Sequence, residues 1–152
     1  MTTVYLSLGS NLGDRRGYLE RALEALRDEF KEVRSSRIYE TEPVELLDQP
    51  WFLNLVTEFK TEWRPEFLLE WVQRLERDLG RQRGVPKGPR TLDADILLFG
   101  SETRKSADLV IPHPAMLDRR HVLRRICCVD FDPPVSETLV ITLRPKQKRS
   151  CI

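Results

Sequence analysis

The chain has 152 residues, with 25 lysines and arginines against 24 aspartates and glutamates, so its formal net charge is +1. This length suits one domain with a single core, and we predict one domain over residues 1–152 with a flexible tail from about residue 145. Charge so close to balance excludes the strong positive field that gathers nucleic acid or anionic membrane. No apolar run approaches the length that crosses a bilayer.

The start of the chain and its cysteines bear on the compartment. The first residues lack the basic-then-apolar pattern of a secretory signal. The three cysteines, Cys127, Cys128 and Cys151, have neither zinc-ligand spacing nor the even count of a disulfide framework. We therefore expect a cytoplasmic protein with reduced thiols.

The first half of the chain alternates between strand and helix patterns. Residues 3–8 alternate in polarity and predict a strand, which runs into the turn-rich residues 9–14. Helical spacing then predicts a first helix, and residues 33–41 and 52–59 predict two more strands. The apolar positions of that helix are Leu19, Leu23, Leu26 and Phe30.

The second half opens with a helix signal at Pro65, a residue tolerated in the first turn, and Gly80 stands in the position of a C-terminal cap. Between them runs an apolar stripe of Leu68, Trp71, Val72, Leu75 and Leu79. A basic loop over residues 81–90 leads into a predicted strand, 91–99. Further along, we predict a short apolar segment at 110–111, a third helix over 116–128 and a last strand at 139–143.

The order of these elements indicates the fold class. Strand, helix, strand, strand, helix, strand is typical of a split βαβ unit. We therefore predict an α+β, ferredoxin-like sandwich, with helices packed on one face of an antiparallel sheet.

Two carboxylates lie two residues apart on the strand at 91–99. Asp93 and Asp95 should share one face, roughly 6–7 Å apart, because side chains alternate across a strand. Leu92, Ala94, Ile96 and Leu98 should fill the opposite face. Paired carboxylates suit Mg²⁺, which prefers oxygen ligands and keeps waters and substrate phosphates. Alone, an Asp-x-Asp pattern is weak evidence for a metal site and favours two solvated charges on an exposed strand face.

The loop before this strand supplies the complementary charge. It carries Arg81, Arg83, Lys87 and Arg90. Guanidinium groups chelate phosphate oxygens and lysine adds a mobile charge. Such a loop is also compatible with an ordinary polar connector. Beside paired carboxylates, it favours phosphoryl transfer from a magnesium-bound nucleotide.

Further candidates flank these two features. His113 lies between two prolines that fix its backbone, and with Arg119 it forms a second phosphate-binding candidate. Phe52 and Asn54 share a strand face, and an aromatic ring beside an amide suits a flat heterocycle. Taken alone, this pair is better explained as a core aromatic and a turn asparagine. No Gly-Lys-Ser/Thr phosphate loop, protein-kinase motif or nucleophile elbow occurs in the sequence.

These motifs, in this order, resemble the 6-hydroxymethyl-7,8-dihydropterin pyrophosphokinase family. The resemblance extends from about Val4 to Cys127. It rests on Gly9-Ser10-Asn11-Leu12-Gly13, Tyr39-Glu40-Thr41 with Pro43, Asp48-Gln49-Pro50, Phe52-Leu53-Asn54, Glu76, Arg81, Gly88-Pro89-Arg90-Thr91-Leu92-Asp93-Ala94-Asp95 and Ile111-Pro112-His113.

The resemblance implies a ferredoxin-like fold, ATP as co-substrate, two Mg²⁺ ions, and transfer of pyrophosphate to the pterin hydroxymethyl group with release of AMP. The implied catalytic residues are Arg81, Arg90, Asp93 and Asp95, the two aspartates being the metal ligands. The implied ATP-binding residues are Gln73, Glu76, Arg81, Arg83, Arg90, Ile96, His113 and Arg119. The implied pterin-binding residues are Gly9, Thr41, Pro43, Val44, Phe52, Asn54, Asp93 and His121.

The chain departs from the usual pattern of the family at Lys87, Ala94, Asp108, Val110 and His121. Two other hypotheses remain open from the residues alone. One is a different ATP-dependent phosphoryl or nucleotidyl transferase that uses the same aspartates. The other is a ferredoxin-like module that binds nucleotide or RNA, which the balanced charge disfavours.

Overall fold

The computed structural model describes residues 1–41, 48–80, 90–116 and, for the backbone alone, 141–143. Within these ranges the chain forms two helices and a principal sheet, with a small two-stranded sheet beside it. The elements in chain order are β1 (Thr2–Ser10), α1 (Arg15–Glu29), β2 (Lys31–Ser35), β3 (Tyr39–Thr41), β4 (Phe52–Thr61), α2 (Pro65–Asp78), β5 (Asp93–Phe99), β6 (Arg104–Lys105), β7 (Val110–Ile111) and β8 (Ile141–Leu143).

The principal sheet has the order β5-β1-β4-β3-β8, with β2 also paired to β4. β1 pairs antiparallel with β4 on one side and with β5 on the other. β2 and β3 both pair antiparallel with β4, whereas β3 and β8 run parallel. The prediction of an α+β, ferredoxin-like fold is confirmed, with one parallel pairing added at the far edge.

The bounds of α2 agree with the sequence prediction, and a side-chain cap marks the start of α1. The side chain of Asp14 caps α1 by accepting the N–H of Gly17 at 3.1 Å, which satisfies a donor that the first turn leaves unpaired. α2 begins at Pro65, and Gly80 follows its end with φ +85°. A positive φ of this size favours glycine, which has no Cβ to clash.

The core lies between the helices and one face of the sheet, which we call the inner face; the opposite face is the outer face. The buried residues of α1 and α2 pack in one cluster with inner-face residues of β1, β4 and β5. The fully buried large side chains of this cluster include Leu6, Leu8, Leu19, Leu26, Leu55, Phe59, Leu68 and Phe99. Because this packing closes the inner face, polar chemistry is confined to the outer face and the sheet edges.

The structure differs from the sequence prediction in the strand expected at 33–41. That segment forms two strands, β2 and β3, because Ser36 bonds to the backbone of Val56 instead of continuing the ladder. Its N–H donates to the carbonyl of Val56 at 2.8 Å, and its hydroxyl accepts the N–H of Val56 at 2.8 Å. The third helix predicted at 116–128 falls almost entirely outside the described residues.

The prediction that Leu98 faces the core is wrong. The pairing of β1 with β5 shifts register between Tyr5 and Leu6, so that Leu6 pairs with Ile96 but Tyr5 pairs with Leu98. One extra residue on β5, Leu97, is accommodated at this irregularity. Leu98 therefore shares the outer face with Tyr5, and Phe99 takes the core position at 1 % exposure.

Candidate active site

The register of three strands places the candidate residues in a row across the outer face. Gly9 on β1 pairs with Asn54 on β4 and with Asp93 on β5. Ser7, one outer-face position earlier, pairs with Asp95. Since directly paired residues share a face, Asp93 and Asn54 lie on either side of Gly9, and Asp95 lies beside the row.

Gly9, the middle residue of this row, has no side chain. A Cβ at this position would stand 2.8 Å from Oδ1 of Asn54 and 3.6 Å from Cδ1 of Phe52. The first distance is shorter than carbon and oxygen tolerate, so only glycine lets the Asn54 amide lean over β1. The result is a shallow surface at Gly9, which we call the floor. It is bounded by the amide of Asn54, the ring of Phe52 and the carboxylate of Asp93.

Asp93 and Asp95 lie on the outer face of β5, as predicted, and their side chains are 17 % and 28 % exposed. Nη1 of Arg90 donates to Oδ2 of Asp93 at 2.8 Å. Nε2 of His113 stands 3.7 Å from Oδ1 of Asp95. Ala94 between them pairs with Leu8 and packs in the core, which keeps both carboxylates on the outer face.

Arg90 extends from the aspartates toward the floor. Its guanidinium carbon lies 5.8 Å from the centre of the Phe52 ring while Nη1 holds Asp93. Arginine favours this combination because its planar group can bond a carboxylate and face an aromatic ring. Arg90 therefore joins the carboxylate side of the site to the aromatic side.

The backbone of the 113–116 segment orients His113. Its N–H donates to the carbonyl of Leu97 at 3.0 Å, which attaches the segment to β5. Nδ1 accepts the N–H of Ala115 at 3.1 Å. With Nδ1 used as an acceptor, the neutral ring carries its proton on Nε2, the nitrogen that stands 3.7 Å from Oδ1 of Asp95.

On the other side of the row, Asn54 is oriented by Thr41. Nδ2 of Asn54 donates to Oγ1 of Thr41 at 2.6 Å, which fixes the amide and turns Oδ1 toward Gly9. Thr41 pairs directly with Phe52 across β3 and β4. Gly9, Thr41, Phe52 and Asn54 are thus brought together, as the predicted pterin-binding set requires.

The nucleotide-binding candidates of α2 lie on the helix beside β5, which is the edge strand of the sheet within the described residues. Oε1 of Glu76 accepts the N–H of Ala94 at 2.9 Å, and Gln73 is exposed one turn earlier on the same helix face. The side chain of Ile96 is buried, with 5 % exposure. Its backbone N–H points away from β1, like that of Ala94, because strand residues two apart direct their amides alike.

Asn11 is a polar residue that the sequence prediction missed. It is completely buried, and its side chain bonds to Arg90, Gln49 and Pro50. The sequence shows it only as one member of the turn-rich segment after β1. A buried asparagine needs partners for both its donors and its acceptor, but periodicity does not reveal which residue in a turn is buried.

Several predicted site residues lie outside the described residues: Pro43, Val44, Arg81, Arg83, Arg119 and His121, together with Lys87. Asp108 and Val110 are both exposed, on the turn before β7 and on β7 itself. The site as described is therefore made by β1, β3, β4, β5, the C-terminal part of α2 and the 113–116 segment.

The donor set fits hard divalent cations. Among residues 1–41, 48–80 and 90–116, no three histidine, cysteine, aspartate or glutamate side chains group in the manner of a protein-only metal cage. Asp93 and Asp95 instead offer two partly exposed carboxylates. Mg²⁺ commonly binds through one or two carboxylates and completes its shell with waters and phosphate oxygens. None of the described helices is long and apolar enough to cross a membrane.

Comparison with known proteins decides the family. Residues 5–131 match the family model described as 7,8-dihydro-6-hydroxymethylpterin-pyrophosphokinase. The chain belongs to this family. The match covers β1 to the segment beyond β7, and it includes every predicted site residue. The family prediction from the sequence is thereby confirmed, and with it the assignment to the pyrophosphokinases of folate biosynthesis.

Individual relatives of the pyrophosphokinase family agree. The chain is 47 % identical over 121 residues to the 2-amino-4-hydroxy-6-hydroxymethyldihydropteridine pyrophosphokinase of Bacillus subtilis, which covers 78 % of the chain and 72 % of the relative. It is 41 % identical over 121 residues to the protein of the same name from Aquifex aeolicus, covering 79 % and 74 %. A longer relative, the folic acid synthesis protein fol1 of Pneumocystis carinii, is 40 % identical over 85 % of the chain but only 18 % of its own length.

Proposed function

We propose that this chain transfers pyrophosphate from ATP to the hydroxymethyl group of 6-hydroxymethyl-7,8-dihydropterin and releases AMP. The observation that carries the proposal is the row Asp93–Gly9–Asn54, with Arg90 between the carboxylate and Phe52. It combines a phosphate-and-cation side with a flat polar floor on one sheet face, which the two substrates of this reaction require.

On the floor side, the chain's own residues would orient the pterin. Phe52 offers a ring face for stacking, and the amide of Asn54 offers hydrogen bonds to the edge of the heterocycle. Gly9, which has no Cβ, leaves room for the Asn54 amide that forms part of this floor. A pterin held here would direct its hydroxymethyl group toward Asp93 and Arg90, where the phosphates are held.

On the phosphate side, we propose that Asp93 and Asp95 hold two Mg²⁺ ions. When bound, these ions neutralise phosphate charge and align the β-phosphate with the attacking oxygen. Arg90 and His113 would contact phosphate oxygens, and Gln73, Glu76 and the Ile96 backbone would seat the nucleoside. Arg81, Arg83, Arg119, Pro43, Val44 and His121 are proposed for the same two substrates from their sequence positions.

A single displacement at the β-phosphorus of ATP accounts for both products. The pterin hydroxyl oxygen forms a bond to the β-phosphorus of ATP, the bond from that phosphorus to the oxygen bridging the α-phosphate breaks, and AMP departs as the hydroxyl loses its proton. Phosphoryl-type transfer depends on alignment and charge neutralisation rather than on a protein nucleophile. Every side chain proposed above binds, orients or neutralises charge.

One assay tests this function. The protein is incubated with ATP, Mg²⁺ and 6-hydroxymethyl-7,8-dihydropterin, and the nucleotide products are separated. We expect AMP in amounts equal to the diphosphorylated pterin, and none when the pterin or Mg²⁺ is withheld. Formation of ADP would indicate ordinary kinase chemistry, and absence of turnover would refute the proposal.

We propose further that the chain acts as a single cytoplasmic domain over residues 1–152, as a monomer, and on small-molecule substrates without nucleic acid. The net charge of +1 supports the last point. Sedimentation of the purified protein with and without both substrates measures the oligomeric state, and a stable dimer would contradict it.

A further inference from the structure

Asn11 makes more hydrogen bonds to separate segments than its place in a turn explains. Its backbone N–H donates to the carbonyl of Arg90 at 3.0 Å, and Oδ1 accepts the N–H of Arg90 at 2.8 Å. Nδ2 donates to Oε1 of Gln49 and to the carbonyl of Pro50, both at 2.9 Å. The whole residue is buried, with 0 % exposure.

These bonds join the backbone of Arg90 to the segment that leads into Phe52. Asn11 holds the backbone of Arg90, whose side chain reaches Asp93 and the ring of Phe52. It also holds Pro50, two residues before Phe52. The backbone that carries the guanidinium and the segment that carries the aromatic ring are therefore joined through one amide group.

From this arrangement we propose that Asn11 is a positioning residue for the reaction: it fixes the Arg90 guanidinium relative to Phe52 and Asp93, and so aligns the phosphate with the pterin. The inference rests on the proposed function and deepens it. Asn11 contacts neither substrate directly and acts through Arg90.

Only asparagine among the small polar residues satisfies all these partners at this length. Aspartate keeps an acceptor for the N–H of Arg90, but it places an anionic oxygen against the acceptor oxygens of Gln49 and Pro50. Asn11→Asp therefore keeps the bond to Arg90 and breaks the bonds to the segment before Phe52. This substitution separates the joining role from the mere filling of space.

The experiment is a double-mutant cycle on the single-turnover rate of AMP formation at saturating ATP, Mg²⁺ and pterin. We expect Asn11→Asp to slow this step about 100-fold in the wild-type background, the size of a misplacement near 1 Å. In an Arg90→Ala background it should slow the step by about twofold or less, because residues that act as one unit are not additive. The affinity for a non-hydrolysable ATP analogue should change by less than about threefold in Asn11→Asp.

Two controls accompany the cycle. Asp48→Asn changes one charge at an exposed position of the same segment and should leave the rate near that of the wild type. Thermal unfolding of every variant is measured first. If Asn11→Asp does not fold, Gln49→Ala, which removes one acceptor of the Asn11 amide, enters the same cycle with an expected loss of about tenfold.

The outcomes distinguish the two proposals. A wild-type chain that forms no AMP refutes the proposed function, and this inference with it. A wild-type chain that forms AMP, with an equal loss in both backgrounds or no loss in either, overturns the role of Asn11 alone.

Discussion

Gly9 has no Cβ, and this allows the Asn54 side chain of β4 to extend over β1. The Asn54 amide occupies the space above β1 because a Cβ there would stand 2.8 Å from its oxygen. Thr41 holds the other end of that amide, so the side chain cannot rotate away without losing a hydrogen bond. The floor of the site therefore depends on this one position.

Gly9→Ala should displace Asn54 and fill part of the floor. We expect kcat/KM for the pterin to fall by about tenfold or more, with a much smaller change in KM for ATP. The reason is that loss of one hydrogen bond to the bound substrate costs about 1.4 kcal/mol, which corresponds to about one factor of ten in kcat/KM. Steady-state kinetics with each substrate varied in turn measures this. Ser10→Ala, at the next position of β1, is the control and should keep wild-type values; equal losses for both substrates in Gly9→Ala would contradict the floor assignment.

Asp95→Asn keeps the size of the side chain and removes its charge. If Asp95 ligates Mg²⁺, we expect turnover to fall by about 10³-fold or more, since charge stabilisation by the ions is lost. The free energy of unfolding should stay within about 1 kcal/mol of the wild-type value, because the carboxylate is partly exposed. AMP formation at an undiminished rate and ordinary Mg²⁺ concentration would remove Asp95 from the metal site.

Among the elements, β1, β4 and β2 are joined on the outer face by one polar cluster. The hydroxyl of Tyr5 donates to Oε2 of Glu58 at 2.6 Å, and Nη2 of Arg34 donates to Oε1 of Glu58 at 2.7 Å. Burial raises the pKa of Glu58, but the hydrogen bonds from Tyr5 and Arg34 and the charges of Arg34 and Lys60 outweigh it, so the net pKa is lowered. The hydrogen bond to Glu58, burial and the Glu58 charge together raise the pKa of Tyr5 to about 12.

This raised pKa makes stability fall at alkaline pH. The phenol titrates near 10.0 in the unfolded chain and near 12 in the folded chain, so the folded state binds more protons in that window. The contribution is complete below the lower value and is lost as the pH rises through the upper one. Tyr5→Phe should therefore flatten the decrease in unfolding free energy between about pH 9 and about pH 11 relative to wild type.

Urea unfolding at the two pH values measures this difference. Tyr18→Phe removes a phenol elsewhere and leaves the bond between Tyr5 and Glu58 in place, so it should retain the wild-type slope. Identical slopes for wild type and Tyr5→Phe would show that the bond does not persist in solution.

The elements themselves were largely predictable from periodicity, and their irregularities were not. Alternation predicted β4 with its core and outer faces, because every second residue there is buried and Leu53, Leu55 and Phe59 among them are apolar. Leu98 was misplaced because a register shift depends on the partner strand, which sequence spacing does not contain. The interruption between β2 and β3 likewise depends on the bonds of Ser36 to Val56, more than a dozen residues away.

In the whole molecule, aromatic rings join the end of α1 to the sheet and to α2. Phe30 stacks on Phe59 of β4 with ring centres 4.5 Å apart. It also makes T-shaped contacts with Trp63, before α2, and Trp71, in α2, with ring centres 4.8 Å and 5.1 Å apart. Such contacts add to burial energy, so we expect this junction to couple the unfolding of the helices to that of the sheet.

Phe59→Ala should destabilise the fold by about 3–5 kcal/mol, because it leaves a cavity under Phe30. Tryptophan fluorescence and far-UV circular dichroism in urea should report one coincident transition, shifted to lower urea. Phe67→Ala is the matched control: that ring is 63 % exposed and should cost only about 0.5–1 kcal/mol. Separate transitions for the two probes would mean that the layers unfold independently.

The site as a whole was predictable in its residue types but not in its connections. The aspartates, Arg90, Phe52 and Asn54 follow from strand alternation and from the resemblance to the family. The role of Asn11, the bond from Glu76 to Ala94 and the tautomer of His113 depend on backbone atoms brought together by the fold. The sequence shows which side chains are present, whereas their backbone hydrogen-bond partners depend on the folded structure.

The edge position of β5 has a consequence for solubility. An unpaired strand edge can recruit a strand from another molecule and begin aggregation. On β5 the N–H of Ala94 is occupied by Glu76, the carbonyl of Leu97 by His113, and the strand is irregular between Ile96 and Leu98. These contacts therefore leave fewer backbone groups of β5 open to a strand from another molecule.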